Sequence, residues 1–414
     1  MMRKLAIAFM MRALLLAMFS GALLVACFFR RRRPLRSRKN AQDNGRSFNV
    51  AAIVTFYNAN WCRSHLTPIA QAANVRKVVA VVDGPIVPIS NVKYVAPTRT
   101  LTRAFGRILG KLILLIRSVR QDQADVVIGY TLVPNGLWAL IVGRLLGRYT
   151  VYQNTVGPEE IVGGGAQTDT LLRGLGWNSK VLEILARTVT RQFDAVVVRG
   201  KEAVDYLTSH RLTRFPAILV GSVDRARFSP GNGERTYDLV TVARLVRIKQ
   251  LHNFLAIIKE LKKDLLDVRA AIVGDGPLRD DLMRQACELG VEQNVDFLGR
   301  LDRTEEILRR SRVFVLTSRS EGLSIALAEG MACGLPAVVS DVGELGALVR
   351  NGETGWRLPP ADAAGFVARI RQLLRSPELW QRCSVAARRQ AVASNGLNSL
   401  AKRWSHFLRE LTAR

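Results

Sequence analysis

Two carboxylates eight positions apart, Glu321 and Glu329, fall in a stretch that reads VFVLTSRSEGLSIALAEGMACGLP from Val313 to Pro336. Its opening run of Val, Phe and Leu is the pattern of a strand buried on both faces. A polar turn, Ser318-Arg319-Ser320-Glu321-Gly322, follows. Ser324 then stands at an N-cap position ahead of a helix-forming run, Ile325 to Cys333, which Gly334 and Pro336 close. A helix start of this kind presents backbone N–H groups and the positive end of its dipole to whatever occupies the turn. That is a site for an anion.

Four further strand-like runs surround this one: Tyr237 to Val242, Val268 to Val273, Val295 to Leu298 and Ala337 to Ser340. Each ends in polar residues or glycine. Arg244 follows the first, with Lys249 at the start of the next helix. Gly274-Asp275-Gly276-Pro277 follows the second, Gly299-Arg300 the third, and Asp341-Val342-Gly343-Glu344 the last. In a parallel sheet these ends share one edge, where such folds bind ligands. Two cations, a helix N-terminus and close-approach glycines would then face a small volume together with two acids. A diphosphate suits that set, since Arg forks onto phosphate oxygens and Lys supplies a compact charge.

These elements belong to the second of two α/β runs. The first begins at Phe48, with strands expected over 49–56, 77–83, 92–96, 125–130, 149–153, 193–199 and 217–220. A helix is expected from about Arg63 after the loop Tyr57 to Cys62, and a Gly-rich loop spans Gly157 to Gly165. Residues 101–120 form a long amphipathic helix with Phe105, Ile108, Leu109, Leu112, Leu115, Ile116 and Val119 at helical spacing. Arg103, Arg107, Lys111 and Arg120 lie on or beside its polar flank. It reads as a crossover helix, or alternatively as a basic helix against an anionic membrane surface. Asp224 to Gly233, with one Pro and two Gly, is a linker, and 380–395 and 399–414 are terminal helices. The expected fold is therefore α/β, two doubly wound domains with an intervening cleft. The boundaries are 1–47, 48–228, 229–394 and a C-terminal helix, 395–414, packing back on the first domain.

The chain has 414 residues, too many for one core, and an apolar fraction of 48%. Five scattered cysteines argue against a disulfide framework or a zinc site. The net charge of +27 admits nucleic acid, but no zinc finger or RNP-like aromatic motif accompanies it. Anionic lipid headgroups or nucleotide diphosphates account for it equally well. The N-terminus carries Arg3, Lys4 and Arg12, an uncharged run from Ala13 to Phe29, and then Arg30-Arg31-Arg32-Arg33. This hydrophobic segment reads as a short anchor with the rest of the chain on the cytoplasmic face of the inner membrane. A lipoprotein cleavage box before Cys27 and a start codon placed too far upstream are the other readings.

The second half resembles the retaining nucleotide-sugar glycosyltransferases of the GT-B fold, family 4. The residues that carry the resemblance are GSVDRARFSP (221–230), VARLVRIKQ (242–250), AIVGDGPLRDDL (271–282), VDFLGR (295–300) and SRSEGLSIALAEGMACGLPAVVSDVGE (318–344). The last contains that family's E-x7-E signature as Glu321 and Glu329. The resemblance implies a Rossmann-like acceptor domain followed by a Rossmann-like donor domain. It further implies that Arg244 and Lys249 clamp the diphosphate, that Glu321 lies by the donor sugar and that Glu329 binds the ribose. Backbone N–H groups of Gly322, Leu323 and Ser324 would cradle phosphate, and Arg300 and Leu301 would lie near the base. No D-x-D triplet occurs, so neither a metal nor another cofactor is expected. The implied activity transfers a sugar from a nucleotide diphosphate sugar to a lipid-linked or envelope-polysaccharide acceptor. A sugar-binding lipoprotein and a nucleotide-sugar epimerase are the alternatives. Of the four histidines, His65 alone falls near the expected cleft.

Overall fold

A computed structural model describes residues 17–29, 47–56, 58–84, 87–165 and 180–413. The chain divides into two compact units, one running to Val220 and including Leu400–Arg414, the other Gly221–Ser399.

The first unit is built on seven parallel strands: β1 (Phe48–Ile53), β2 (Val75–Val81), β3 (Val92–Val95), β4 (Val126–Tyr130), β5 (Tyr149–Gln153), β6 (Ala195–Val198) and β7 (Pro216–Ile218). Their order is β3-β2-β1-β4-β5-β6-β7. Successive side chains of a strand point to opposite faces. Val50, Ala52 and Val54 accordingly enter one apolar cluster, and Ala51 and Ile53 enter another. Both faces are covered, which is why these strands read as unbroken apolar runs. The helix Ala59–Ala70 shares a cluster with Trp404, Phe407, Leu408 and Leu411 of the terminal helix Leu397–Ala413. The helices Arg99–Gln121, Leu137–Leu145, Lys180–Thr190 and Lys201–Ser209 share the other.

The helix Ala59–Ala70 starts earlier than expected because the Asn58 side chain accepts from Trp61 N at 2.7 Å and caps it. Helix Arg99–Gln121 breaks at Gly106, whose φ is 71°. Leu115 and Val119 are buried beyond the break, whereas Phe105, Leu109 and Ile113 are exposed. Lys111 is not on the polar flank. It is buried, and its Nζ donates to the Val54 carbonyl (3.0 Å), Thr55 Oγ1 (3.1 Å) and Asp83 Oδ2 (3.1 Å). Of the N-terminal hydrophobic segment, residues 17–29 are helical. They bury Met18, Phe19, Ala22 and Ala26 in the first unit's apolar cluster and expose Leu24 and Phe28. No described helix is long and apolar enough to cross a membrane. The remainder of that segment, the arginine run and the basic linker lie outside the described residues.

The second unit has six parallel strands: β8 (Tyr237–Val242), β9 (Ala270–Val273), β10 (Val295–Gly299), β11 (Ser311–Leu316), β12 (Ala337–Ser340) and β13 (Gly355–Leu358). Their order is β10-β9-β8-β11-β12-β13. Strand β13 was not expected, since its four residues, GWRL, contain no Val or Ile run. Its pairing with β12, from Ala337↔Gly355 to Ser340↔Leu358, makes it a strand. In this unit the order reverses between β8 and β11, and in the first between β1 and β4.

Trp404 is 2% exposed and packs edge-on to Phe407, which stacks on Phe215. Trp404→Ala is expected to destabilise the first unit by about 3–5 kcal/mol. In denaturant unfolding one transition should move to lower denaturant while that of the second unit stays in place.

Candidate functional site

All six strands of the second unit run parallel, so the loops after β8, β9, β10, β11 and β12 emerge at one edge. The turn after β8 passes through Arg247–Lys249 and a left-handed Gln250 (φ 47°) before the helix Leu251–Lys262. The loop after β11 is laced to this turn. Arg319 N donates to the Ile248 carbonyl at 2.8 Å, and Thr317 Oγ1 donates to the carbonyls of Lys249 (3.2 Å) and Gln250 (3.0 Å). These bonds bring Lys249 Nζ within 2.5 Å of Glu321 Oε1, to which Ser318 Oγ also donates at 2.7 Å. Both partners are largely shielded, with side-chain exposures of 18% and 8%. Such a pair is worth more than a surface one because less water screens it.

Two glycines let the neighbouring loops close on this edge. A Cβ on Gly274 (φ 140°) would lie 1.9 Å from the Ala243 carbonyl oxygen, and one on Gly343 (φ 52°) 1.7 Å from that of Glu321. Gly274 is thus demanded by backbone packing as well as by any ligand. Arg244 and Arg300 are exposed in the loops after β8 and β10, with Leu301 half-buried beside the latter.

Ser324 is the N-cap of the helix Ile325–Ala332, its side chain accepting from Leu327 N at 3.3 Å. Gly322 and Leu323 lie just ahead of it. Glu329, one turn into this helix, is 5% exposed. Burial pushes its pKa up to about 8. The nearby Arg227 opposes the rise, and Glu305 adds to it. Arg227 is engaged elsewhere, donating to Glu305 Oε2 at 2.7 Å and to the Asp302 carbonyl. The acid is therefore held near neutrality with an unspent capacity to accept hydrogen bonds.

The carboxyl edge of the first sheet is differently furnished. Glu160 is equally buried, yet Oε1 accepts from Thr155 N (2.7 Å), Thr155 Oγ1 (2.8 Å) and Val156 N (2.8 Å), and Oε2 from the Tyr152 hydroxyl (2.6 Å). This shapes the loop after β5 that enters the Gly-rich segment. His65, the histidine expected near the cleft, is buried. Its Nδ1 lies 2.9 Å from the Trp61 carbonyl, and burial pushes its pKa down to about 3, so it is neutral at physiological pH. Among the described residues no cluster of three or more His, Cys, Asp or Glu could hold a metal ion.

The sequence-derived candidates Lys249, Glu321, Gly322, Leu323 and Ser324 thus meet at one place. Glu329 is further along the same helix, and Arg244, Gly274, Arg300 and Leu301 occupy neighbouring loops of the same edge. Sequence reasoning missed Ser318 and the Arg227–Glu305 pair. Arg227 lay in the quoted stretch 221–230, but no residue spacing ties it to Glu305, which is 78 positions away.

Residues 222–390 match the family model described as glycosyl transferases group 1. A glycogen synthase of Mycobacterium tuberculosis is 36% identical over 234 residues, covering 53% of this chain and 56% of that protein. The chain thus spans little more than half the length of this curated relative. Among solved structures, a sucrose-phosphate synthase from Thermosynechococcus elongatus has a TM-score of 0.70 at 16% identity, covering 88% of this chain and 99% of that one. Anabaena Alr3699/HepE, solved in complex with UDP-glucose, has a TM-score of 0.67 at 15% identity, covering 88% and 100%. The likeness extends over both units and makes the fold GT-B, two Rossmann-like units in tandem.

The buried Glu329 generates a pH-dependence. Its carboxyl ionises near 4.5 when unfolded and near 8 when folded, so between those values the unfolded chain binds fewer protons and stability falls as pH rises. Glu329→Gln removes that contribution. The variant should gain on the wild type from pH 5 to pH 8 in paired thermal-unfolding series, and a constant difference across the range would count against the assignment.

Proposed function

We propose that the chain is a glycosyltransferase that takes a sugar from a nucleotide diphosphate sugar with retention of anomeric configuration. The observation that carries this reading is the Lys249–Glu321 pair, 2.5 Å apart beside a helix N-terminus at the strand-order reversal of the second unit. Leaving diphosphate develops negative charge, and preorganised cations and a helix dipole stabilise it without reorganising during reaction. Lys249 and Arg244 supply the cations, Gly322 to Ser324 the backbone donors, and the reaction needs no metal for this purpose. Glu321 restrains the Lys249 ammonium and lies where the donor sugar is held. Glu329 offers its unused acceptor capacity to the ribose, and Arg300 and Leu301 border the base. The match of residues 222–390 to the group 1 family and the UDP-glucose complex of Alr3699/HepE support this donor class.

The acceptor in this reading is lipid-linked or an envelope polysaccharide, met at the cytoplasmic face of an anionic inner membrane. In support, Phe105, Leu109 and Ile113 are exposed on the same helix as exposed Arg103, Arg107 and Arg117, on a chain of net charge +27. Apolar side chains among bases are what an anionic bilayer surface binds. The burial of Met18, Phe19, Ala22 and Ala26 speaks against the lipoprotein alternative, since cleavage before Cys27 would remove part of the first unit's core.

Two measurements test this. Glu321→Ala, Lys249→Ala and Arg244→Ala should each lower turnover of a nucleotide diphosphate sugar by about 100-fold or more, with circular dichroism unchanged. Full activity in all three would end the reading. Phe105→Ser, Leu109→Ser and Ile113→Ser together should release the protein from phosphatidylglycerol-containing vesicles in sedimentation. Binding that is equal on purely phosphatidylcholine vesicles would sink the membrane part alone.

A further inference from the structure

Two donors converge on one oxygen of Glu321. Lys249 Nζ lies 2.5 Å from Oε1, and Ser318 Oγ donates to that same atom at 2.7 Å. No hydrogen bond or ion pair reaches Oε2 from any described residue. The Glu321 side chain keeps 8% of its surface in solvent, whereas Ser318 is 0% exposed. Ser318 directly follows Thr317, whose own hydroxyl is bonded to the carbonyls of Lys249 and Gln250. The backbone that carries the serine is therefore fixed to the turn that carries the lysine.

The two donors differ in what they can fix. An ammonium on a four-carbon stem is a compact charge with three rotatable donors, and it follows a carboxylate through a range of angles. The last torsion of a glutamate side chain is broad, so a single contact of that kind leaves the carboxylate plane able to turn. A serine hydroxyl sits on one short arm. On a fixed backbone and packed on all sides, Ser318 Oγ marks one point to which Oε1 is drawn. With two donors on Oε1 the plane is set, and Oε2 has one place to occupy. A spacing of three residues is also that of a local turn bond, which would shape the loop without concerning a ligand. The loop is already held, however, by the bonds of Thr317 Oγ1 and Arg319 N to the turn at Ile248–Gln250.

We propose that Ser318 is a positioning residue for sugar transfer: by pinning Oε1 of Glu321 beside Lys249, it sets Oε2 to meet a hydroxyl of the donor sugar. The assignment rests on the sugar-transfer reading above, in which Glu321 lies where the donor sugar is held. A carboxylate oxygen only accepts, so the sugar hydroxyl donates, and the place of Oε2 selects which hydroxyl reaches it. Lys249 gives one hydrogen to Oε1 and keeps two for the leaving diphosphate. The one side-chain bond of Ser318 goes to the carboxylate. Its loss therefore leaves the cations and the backbone donors of the diphosphate in place.

The test compares four forms of the full-length protein: wild type, Ser318→Ala, Glu321→Ala and the double variant. UDP and GDP are titrated by calorimetry. Diphosphate release is followed from UDP-glucose, UDP-galactose, UDP-N-acetylglucosamine and GDP-mannose, with a lipid extract supplied as acceptor. Ser318→Ala should bind the free diphosphate as the wild type does, yet lose about tenfold in kcat/KM for the nucleotide sugar that is used. In the Glu321→Ala background the same substitution should cost nothing further, because a residue that acts through a carboxylate has no effect once the carboxylate is gone. A kcat/KM equal to that of the wild type in Ser318→Ala would overturn the proposal, and so would a tenfold loss that persists in the double variant. A parallel loss of diphosphate affinity would identify Ser318 as a support of the whole loop and overturn it too. Failure of the sugar-transfer reading has a separate signature, the absence of diphosphate release by the wild type from all four donors, and it would take this assignment with it.

Discussion

Lys249 meets Glu321 because β8 and β11 are neighbours although 68 positions separate the ends of the chain segments they feed, Lys249 and Thr317. At a strand-order reversal two loops leave adjacent strands in opposite directions, and the gap between them admits side chains from both. The hydrogen bonds from Arg319 N and Thr317 Oγ1 to the turn at Ile248–Gln250 fix the register of those loops. The ammonium and carboxylate are thereby held together before any ligand arrives. The glycines at 274 and 343 belong to the same constraint, since a side chain at either would drive adjoining loops apart.

Burial acts differently on the chain's acids according to the donors each finds. Glu160 and Glu329 are both 5% exposed. Glu160 meets four donors and spends them on the shape of one loop. Glu329 has only the charge of Arg227 to oppose its burial, and its pKa rises to about 8. An acid that is fully bonded is structural, whereas one that is buried without bonds retains capacity for a partner. By the same reasoning Lys111, buried with three acceptors, ties the loops after β1 and β2 to a helix. His65, with an orphan nitrogen, does not discharge its full bonding in the free protein.

The two units set different side chains on one scaffold. Both are parallel sheets covered on two faces, and both reverse strand order at an inner pair of strands. At that pair the second unit carries lysine, glutamate and a helix N-terminus, and the first carries aromatic rings and neutral polar atoms. The strands are interchangeable in kind, and the loop residues that follow them set the ligand class.

The sequence by itself determined the α/β class, twelve of the thirteen strands and the N-cap at Ser324, because long apolar runs and capping residues are local signals. It also placed Glu321, Lys249 and the neighbouring glycines at strand ends. Tertiary structure decided the rest. Strand β13 exists through its pairing with β12 and not through its composition. Lys111 reads as part of a polar helix flank in the sequence and is buried in the fold, since helix periodicity does not say how far a neighbouring loop will cover a face. The pairing of Arg227 with Glu305, and the orphaned atoms of His65 and Tyr130, depend on residues 78 and 65 positions apart, and only the folded chain brings such residues together.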